Sequence, residues 1–212
     1  MFPQSKLWTN RLMEGLAMPL PGQAAHSRLA PVRLWEPGDI PSSARPAAVL
    51  ILLYEKEDTL WFPLIRRISA HPGDHHRGQI GLPGGGLSFP EERLEDTASR
   101  ECAEEIGIDA SNVHLLGSLS PLYIAVSNYR VQPFVGLYRG HPRFTKQDSE
   151  VEDIHEVCVS GLFDPANRMR CTVSSSRGLR LDVPAIRLGE LIVWGATGMI
   201  LEEFCQLIEP VR

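Results

Sequence analysis

The sequence predicts a layered α/β/α sandwich with a mixed β-sheet and a helical N-terminal extension. Three patterns carry this expectation. Apolar runs of strand length recur between residues 47 and 194, an acidic helical stretch follows a run of glycines near residue 86, and an amphipathic segment closes the chain. Strands interleaved with two such helices bury their apolar faces best as a sheet covered by helices. A chain of 212 residues is long enough to do so in one unit.

Residues 1–45 read as an extension ahead of a main domain spanning 46–212. Leu7, Trp8, Leu12 and Leu16 line one side of a short helix starting near Ser5, and Pro19, Pro21 and Gly22 end it. A proline-rich connector runs on to Pro46. The extension packs on the domain surface, forms a homodimer contact or covers the substrate; all three roles are open. The main domain begins with a continuous apolar run at 47–54, the turn Glu55-Lys56-Glu57-Asp58 and a second strand at 60–67, which together make a hairpin. A polar loop at 71–77 leads into a short strand at 79–82 and the turn Pro83-Gly84-Gly85-Gly86. Beyond the acidic helix, strands are expected at 113–119, 130–138, 151–159, 179–188 and 191–194. The closing helix, 196–208, carries Ile200, Leu201, Phe204 and Leu207.

Composition narrows the function classes. The formal charge is -5 and the basic residues are scattered, so there is no cationic stripe to follow a nucleic-acid backbone. Cys102, Cys158, Cys171 and Cys205 show neither a C-x-x-C pair nor zinc spacing, which suits isolated reduced thiols, with Cys102 packed inward. Neither a secretory leader nor a membrane-length apolar run is evident, so the expected location is the cytoplasm, with no membrane partner.

The most informative stretch is 86–108, where Glu92, Glu101, Glu104 and Glu105 crowd around Arg100. Residues three and four apart are neighbours on a helix, and like charges there repel. A hard divalent cation with oxygen ligands turns that repulsion into binding. Glu101, Glu104 and Glu105 fall within about 100° of helical arc, while Leu94, Ala98, Cys102 and Ile106 form the neighbouring apolar stripe. Arg100 can pair in a forked geometry with Glu92, and Gly107 is placed to stop the helix. The bare backbone of Gly84, Gly85 and Gly86 can approach a ligand closely, offering a carbonyl to a metal or amides to a phosphate.

Read from Gly86, the order is glycine, five residues, glutamate, seven residues, then Arg-Glu-apolar-x-Glu-Glu-x-Gly-apolar, with Cys102 in the first apolar slot. This pattern resembles the Nudix box. Gly85 or Gly86 is the box glycine, and Glu92 is preferred over Glu91 as the first glutamate. The resemblance implies hydrolysis of a pyrophosphate bond in a small nucleotide, with Mg²⁺ or Mn²⁺ held by Glu101, Glu104, Glu105 and the Gly85 carbonyl. Glu104 or Glu150 would take the proton of the attacking water, with Glu92 and Arg100 orienting the ligands. Glu150 is the candidate for the further glutamate that Nudix enzymes commonly draw from outside the box; Glu152 is next. His71, His75 and His76 suit softer metals than this acid set does. His76 and Arg77, at the mouth of the glycine turn, are instead candidates for substrate binding, together with Gly84. Arg66 and Arg67 are adjacent on a strand and must face opposite ways, so that one can reach a phosphate.

The stretch His75-His76-Arg77-Gly78-Gln79-Ile80-Gly81-Leu82-Pro83-Gly84-Gly85 is similar to the segment that marks coenzyme A pyrophosphatases within the Nudix superfamily. Trp194-Gly195-Ala196-Thr197, Ser127-Asn128-Tyr129 and Pro133-Phe134-Val135-Gly136 look like the same branch. Asp74, Arg66, Ile68 and Leu82 depart from it. The resemblance therefore implies coenzyme A or a related species as substrate, with ADP-ribose, a dinucleoside polyphosphate or a nucleoside triphosphate as alternatives. A ligand-sensing module that kept the fold and lost catalysis is the reading from another class.

Overall fold

The run at 47–54 shows no alternation of polar and apolar residues because its strand is buried on both faces. Ile51 and Leu53 join one core with Phe62, Leu64, Val135 and Phe204. Ala48, Leu50, Leu52 and Tyr54 join a second core with Ala98, Cys102 and Ile106. A strand between two covering layers reads as continuously apolar, and here the two layers are helices.

The computed structural model describes residues 4–32, 34–68, 78–174 and 180–208. In chain order the elements are α1 (Gln4–Leu16), α2 (Gln23–His26), β1 (Arg45–Lys56), β2 (Thr59–Arg67), β3 (Ile80–Gly81), β4 (Gly84–Gly86) and α3 (Leu94–Ile106). There follow β5 (Val113–Ser118), β6 (Leu122–Ile124), β7 (Tyr129–Tyr138), β8 (Val151–Cys158), β9 (Arg168–Ser174), β10 (Arg180–Leu188), β11 (Leu191–Trp194) and α4 (Gly195–Ile208). The main sheet runs β3-β2-β1-β7-β5, with β4 also on β1, β6 on β7 and β8 on β2. Among the described residues only β1 and β7 pair in parallel; a separate meander, β11-β10-β9, is antiparallel.

β1 changes partner along its length. Its end pairs with β2, from Tyr54 opposite Trp61 to Lys56 opposite Thr59, whereas Ala47, Ala48 and Val49 face Gly86, Gly85 and Gly84 of β4. The sheet splays between these two partners, and α3 lies across the opening. The glycine turn expected from the sequence is thus a strand. Glycine has no β propensity, but the open edge of β1 supplies the hydrogen-bond partners that hold it extended. β6, only three residues long, and β9, where Met169, Cys171 and Val173 alternate with Arg168, Arg170 and Thr172, were also absent from the sequence expectation.

The N-terminal arm is tied to the domain at several points. Leu12 is buried and Trp8 stacks on Phe163 with ring centroids 4.9 Å apart. Leu7, expected on the packed side, is 48% exposed, because it lies off the face that meets α4. Ser5 anchors the start of α1, its amide donating to Asp58 O at 3.2 Å and its hydroxyl to Glu55 Oε1 at 2.6 Å. Farther on, the fully buried Glu203 of α4 meets His26 Nε2 at 3.0 Å and accepts from the Gly22 and Ser120 amides. Burial acts to raise the Glu203 pKa, yet hydrogen bonds from His26, Ser120 and Gly22 hold it below the ordinary value. All four cysteines are free, and Cys102 is buried. Among the described residues no helix is long and apolar enough to cross a membrane.

The β1–β2 hairpin turns on Glu57 and Asp58, both at positive φ (54° and 59°). Two such residues match a type I′ turn, where the second position favours glycine. Asp58→Gly is expected to raise the unfolding free energy by about 1 kcal/mol, the cost of a left-handed non-glycine residue. Chemical denaturation of the two proteins measures it; an unchanged midpoint would show that the Asp58 conformation carries no strain.

Candidate active site

The site is built where α3 crosses the splayed end of β1. The apolar stripe of α3 fixes its roll: Ala98, Cys102 and Ile106 are fully buried against β1. That leaves Glu101 and Glu105 directed at β4, and Glu104 on the outer side, 56% exposed. Two glycines make the fit possible. A Cβ on Gly85 would lie 2.5 Å from the Glu101 carboxyl carbon, so only a bare backbone permits this approach. Gly107 ends the helix in the left-handed conformation at φ 69°, its amide bonded to Ala103 O at 2.9 Å.

Arg100 is the organising cation. Its Nε and Nη2 fork onto the two oxygens of Glu92 at 2.7 and 3.2 Å, and the Ser88 amide completes the Glu92 carboxylate at 2.7 Å. Glu91, by contrast, is exposed. The same guanidinium reaches Glu101 at 2.8 Å, Glu104 at 3.0 Å and the Gly86 carbonyl at 3.3 Å. Arg100 therefore sits among the acids. Its long side chain folds back along the helix to do so. Hydrogen bonds from Arg100 and Ser88 hold the Glu92 pKa down at about 2.

Glu105 is handled differently. It is 2% exposed, accepts from the Gly84 amide at 2.7 Å and pairs with Arg67 Nη1 at 3.3 Å. Burial pushes its pKa up to about 7, against the pull of Arg67 and Gly84. Burial also raises Glu101; Arg100 opposes this, and the charges of Glu104 and Glu150 add to it.

Glu150 reaches this neighbourhood through backbone geometry. The loop before β8 caps the end of α3, with the Thr145 amide on Ile106 O at 2.9 Å and the Gln147 amide on Glu105 O at 3.0 Å. A bulge between Arg66 and Arg67 then shifts the β2–β8 register from Asp153 to Val151, and the Ile68 amide takes the Glu150 carbonyl at 2.8 Å. Bulges of this kind re-aim side chains. Glu150 is close enough to Glu101 and Glu105 for their charges to interact. Glu152 is exposed, and its carbonyl is taken by Lys146.

Arg66 and Arg67 diverge as strand geometry requires. Arg67 turns to the α3 face, within 3.5 Å of the Gly84 carbonyl. Arg66 faces the other way, into a cavity of about 350 Å³ shared with Gln79, Cys171 and Trp194. His71, His75, His76 and Arg77 lie outside the described residues. Sequence reasoning missed the contacts of Gly84 and Ser88, whose amides are invisible in a pattern of side chains. The glycine run was the available signal, since it marks where backbone meets something closely.

The donor set fits a hard divalent cation in its chemistry: carboxylate oxygens, with carbonyls along β4, around a backbone cradle that a Cβ at Gly85 would fill. Among the described residues no three acidic, histidine or cysteine side chains already converge as a metal cluster. Arg100 pairs with Glu101 and Glu104, and Arg67 with Glu105.

An acidic helix braced by an arginine against a glycine strand, on a mixed sheet, defines the class: the Nudix domain model matches residues 44–168, and the chain belongs to that family as a Nudix pyrophosphohydrolase. It is similar to the uncharacterized Nudix hydrolase NudL of Yersinia pestis (strain Pestoides F), 33% identical over 165 residues that cover 77% of this chain and 80% of the relative. The NudL of Yersinia pseudotuberculosis serotype O:1b (strain IP 31758) matches with the same identity and coverage. In fold it is similar to a MutT/nudix family protein from Enterococcus faecalis, with a TM-score of 0.52 at 19% identity, covering 82% of this chain and 64% of that one.

Gly85→Ala is expected to force Glu101 out of its cradle and lower turnover at least tenfold, while far-UV circular dichroism stays unchanged. A steady-state assay on the variant measures this. Full activity would show that Glu101 does not need the Gly85 backbone.

Proposed function

We propose that this chain hydrolyses the pyrophosphate bond of coenzyme A or a related CoA species, with Mg²⁺ or Mn²⁺ held by Glu101, Glu104, Glu105 and the Gly85 carbonyl. The single observation that supports the chemistry is Arg100, which forks onto Glu92 and also reaches Glu101 and Glu104 on α3, next to Glu105 on the Gly84 amide of β4. The preference for coenzyme A rests on the segment Gln79-Ile80-Gly81-Leu82-Pro83-Gly84-Gly85, which forms β3 and the approach to β4 beside Glu105.

The bound cation would supply positive charge to the diphosphate and acidify the attacking water. The protein's own groups do the rest. Glu105 is enclosed and doubly hydrogen-bonded, so its part is to fix the glycine strand and offer an oxygen at a set position. Glu104 is open to solvent and, among the described residues, held only by Arg100, so it can take a proton from water. Glu150, just ahead of β8 and close enough to Glu101 and Glu105 for their charges to interact, is the other candidate acceptor. Arg100 and Glu92 keep the acids oriented through the reaction, as outer groups do at metal sites. Water attacks phosphorus in line and a phosphate ester leaves, so no covalent enzyme intermediate forms. Residues 46–212 carry this activity, and 1–45 form an extension to it.

In ¹⁸O-water, turnover of coenzyme A with Mg²⁺ or Mn²⁺ is expected to place one label on phosphorus, and Glu104→Gln to cut the rate by about two orders of magnitude. Mass spectrometry of the products and a parallel panel of ADP-ribose and diadenosine polyphosphates make the measurement. Label on carbon would refute the chemistry, an unchanged rate would remove Glu104 from it, and preference for another panel member would replace the substrate.

A further inference from the structure

The strand register links the candidate site to a second feature on the same face of the sheet. Gly85 lies opposite Ala48, and Ala48 opposite Gln132. Two residues back along these strands, Pro46 is opposite Arg130, and Arg130 opposite Tyr123 of β6. Residues directly opposite one another share a face, and a step of two restores it. Arg130 and Tyr123 therefore lie on the face that Gly85 presents to Glu101. With strands about 4.8 Å apart and about 3.3 Å per residue, the Cα atoms of Arg130 and Tyr123 lie about 12 and 16 Å from that of Gly85.

Arg130 and Tyr123 line a cavity of about 490 Å³ that turns around the β6 edge, where the N-terminal arm closes it with Trp35 and His26. This volume is that of a small-molecule site. Its walls are chemically specific. The Trp35 ring meets Tyr123 edge-on, 5.4 Å between centroids at 84°, yet remains 44% exposed. Tyr123 is fixed by its hydroxyl on Asn128 Oδ1 at 3.0 Å. Trp35 is positioned through the arm: Gln23 Nε2 donates to its carbonyl at 2.8 Å, and α2 is pinned by His26 and Gly22 on buried Glu203. Among the described residues Arg130 has no ion-pair or hydrogen-bond partner for its side chain, although it borders the cavity. An exposed Trp35 set against a half-buried Tyr123, beside an uncommitted guanidinium, suits a planar ring joined to an anion. The ribose and base of a nucleoside diphosphate would extend over this distance from a diphosphate at Gly85.

We propose that this cavity is the subsite for the nucleoside end of the substrate, with the base against Trp35 and Tyr123 and a phosphate monoester on the ribose at Arg130. The assignment rests on the hydrolytic reading of the acidic site and makes the N-terminal arm a determinant of specificity. Substrates whose ribose carries an extra phosphate are then favoured over those without one.

The test is calorimetric titration of the full chain, without divalent metal, with adenosine 3′,5′-bisphosphate and with AMP. The wild type is expected to bind the bisphosphate about tenfold more tightly, the worth of a charge-assisted contact. Arg130→Gln should abolish that gap, and Trp35→Ala should weaken both ligands alike. Arg130 is exposed, so its variant is expected to fold, with circular dichroism as the check. A gap that survives in Arg130→Gln, equal binding in the wild type, or no binding of either compound would overturn the subsite. Because no turnover is involved, the two readings fail separately. The expected binding pattern without metal-dependent hydrolysis sinks only the activity, and hydrolysis of coenzyme A without the pattern sinks only the subsite.

Discussion

The guanidinium of Arg100 contacts Glu92, Glu101, Glu104 and the Gly86 carbonyl together, and most of the site geometry follows from that contact. One planar cation ties the loop before α3, the exposed face of α3 and the glycine strand into a single body. A lysine has the charge but lacks the fork, so it could serve one of these partners and not all of them. The repulsion among Glu101, Glu104 and Glu105 is thereby kept local. Arg67 does the same for Glu105 from β2. The acids are thus crowded and yet compatible with a folded helix, with two arginines bearing on them from opposite sides.

That arrangement depends on a less obvious feature, the change of partner along β1. Were β2 to stay paired with β1 for its full length, no room would exist for Gly84, Gly85 and Gly86 beside it. β1 and β2 pair only from Tyr54 to the hairpin turn, β4 pairs with β1 ahead of that at Ala47, Ala48 and Val49, and α3 packs Ala98 and Cys102 over the result. The bulge between Arg66 and Arg67 brings Glu150 toward the same place from the opposite edge. Backbone irregularities, more than side-chain identity, set where these segments meet.

This explains what was legible in the sequence. β1, β2, β7, β10, β11 and α4 are marked by apolar stretches, β8 by Val151, Ile154 and Val157 after an acidic entry, and α3 by its stripe and the Gly107 stop, so these elements were readable to within a few residues. β4 was not, since three glycines carry no strand signal and their conformation is imposed by a distant partner. β6 and β9 are short or polar and exist through pairing with β7 and β10. In the site, the Arg100–Glu92 pair was legible from spacing. The burial of Glu105, the reach of Arg100 to Glu101 and Glu104, and the route of Glu150 were not, because each depends on contacts between segments far apart in sequence. The same holds for Trp35, whose meeting with Tyr123 needs the arm to be anchored on Glu203 first.

The central claim is that the acids of α3 are organised to receive a divalent cation. Its most direct measurement is electron paramagnetic resonance of Mn²⁺ titrated into the substrate-free chain, alongside Glu101→Gln. The account predicts saturable binding by the wild type and a loss of affinity of at least tenfold in the variant, with circular dichroism unchanged. Equal Mn²⁺ binding by both proteins, or none by the wild type, would contradict it.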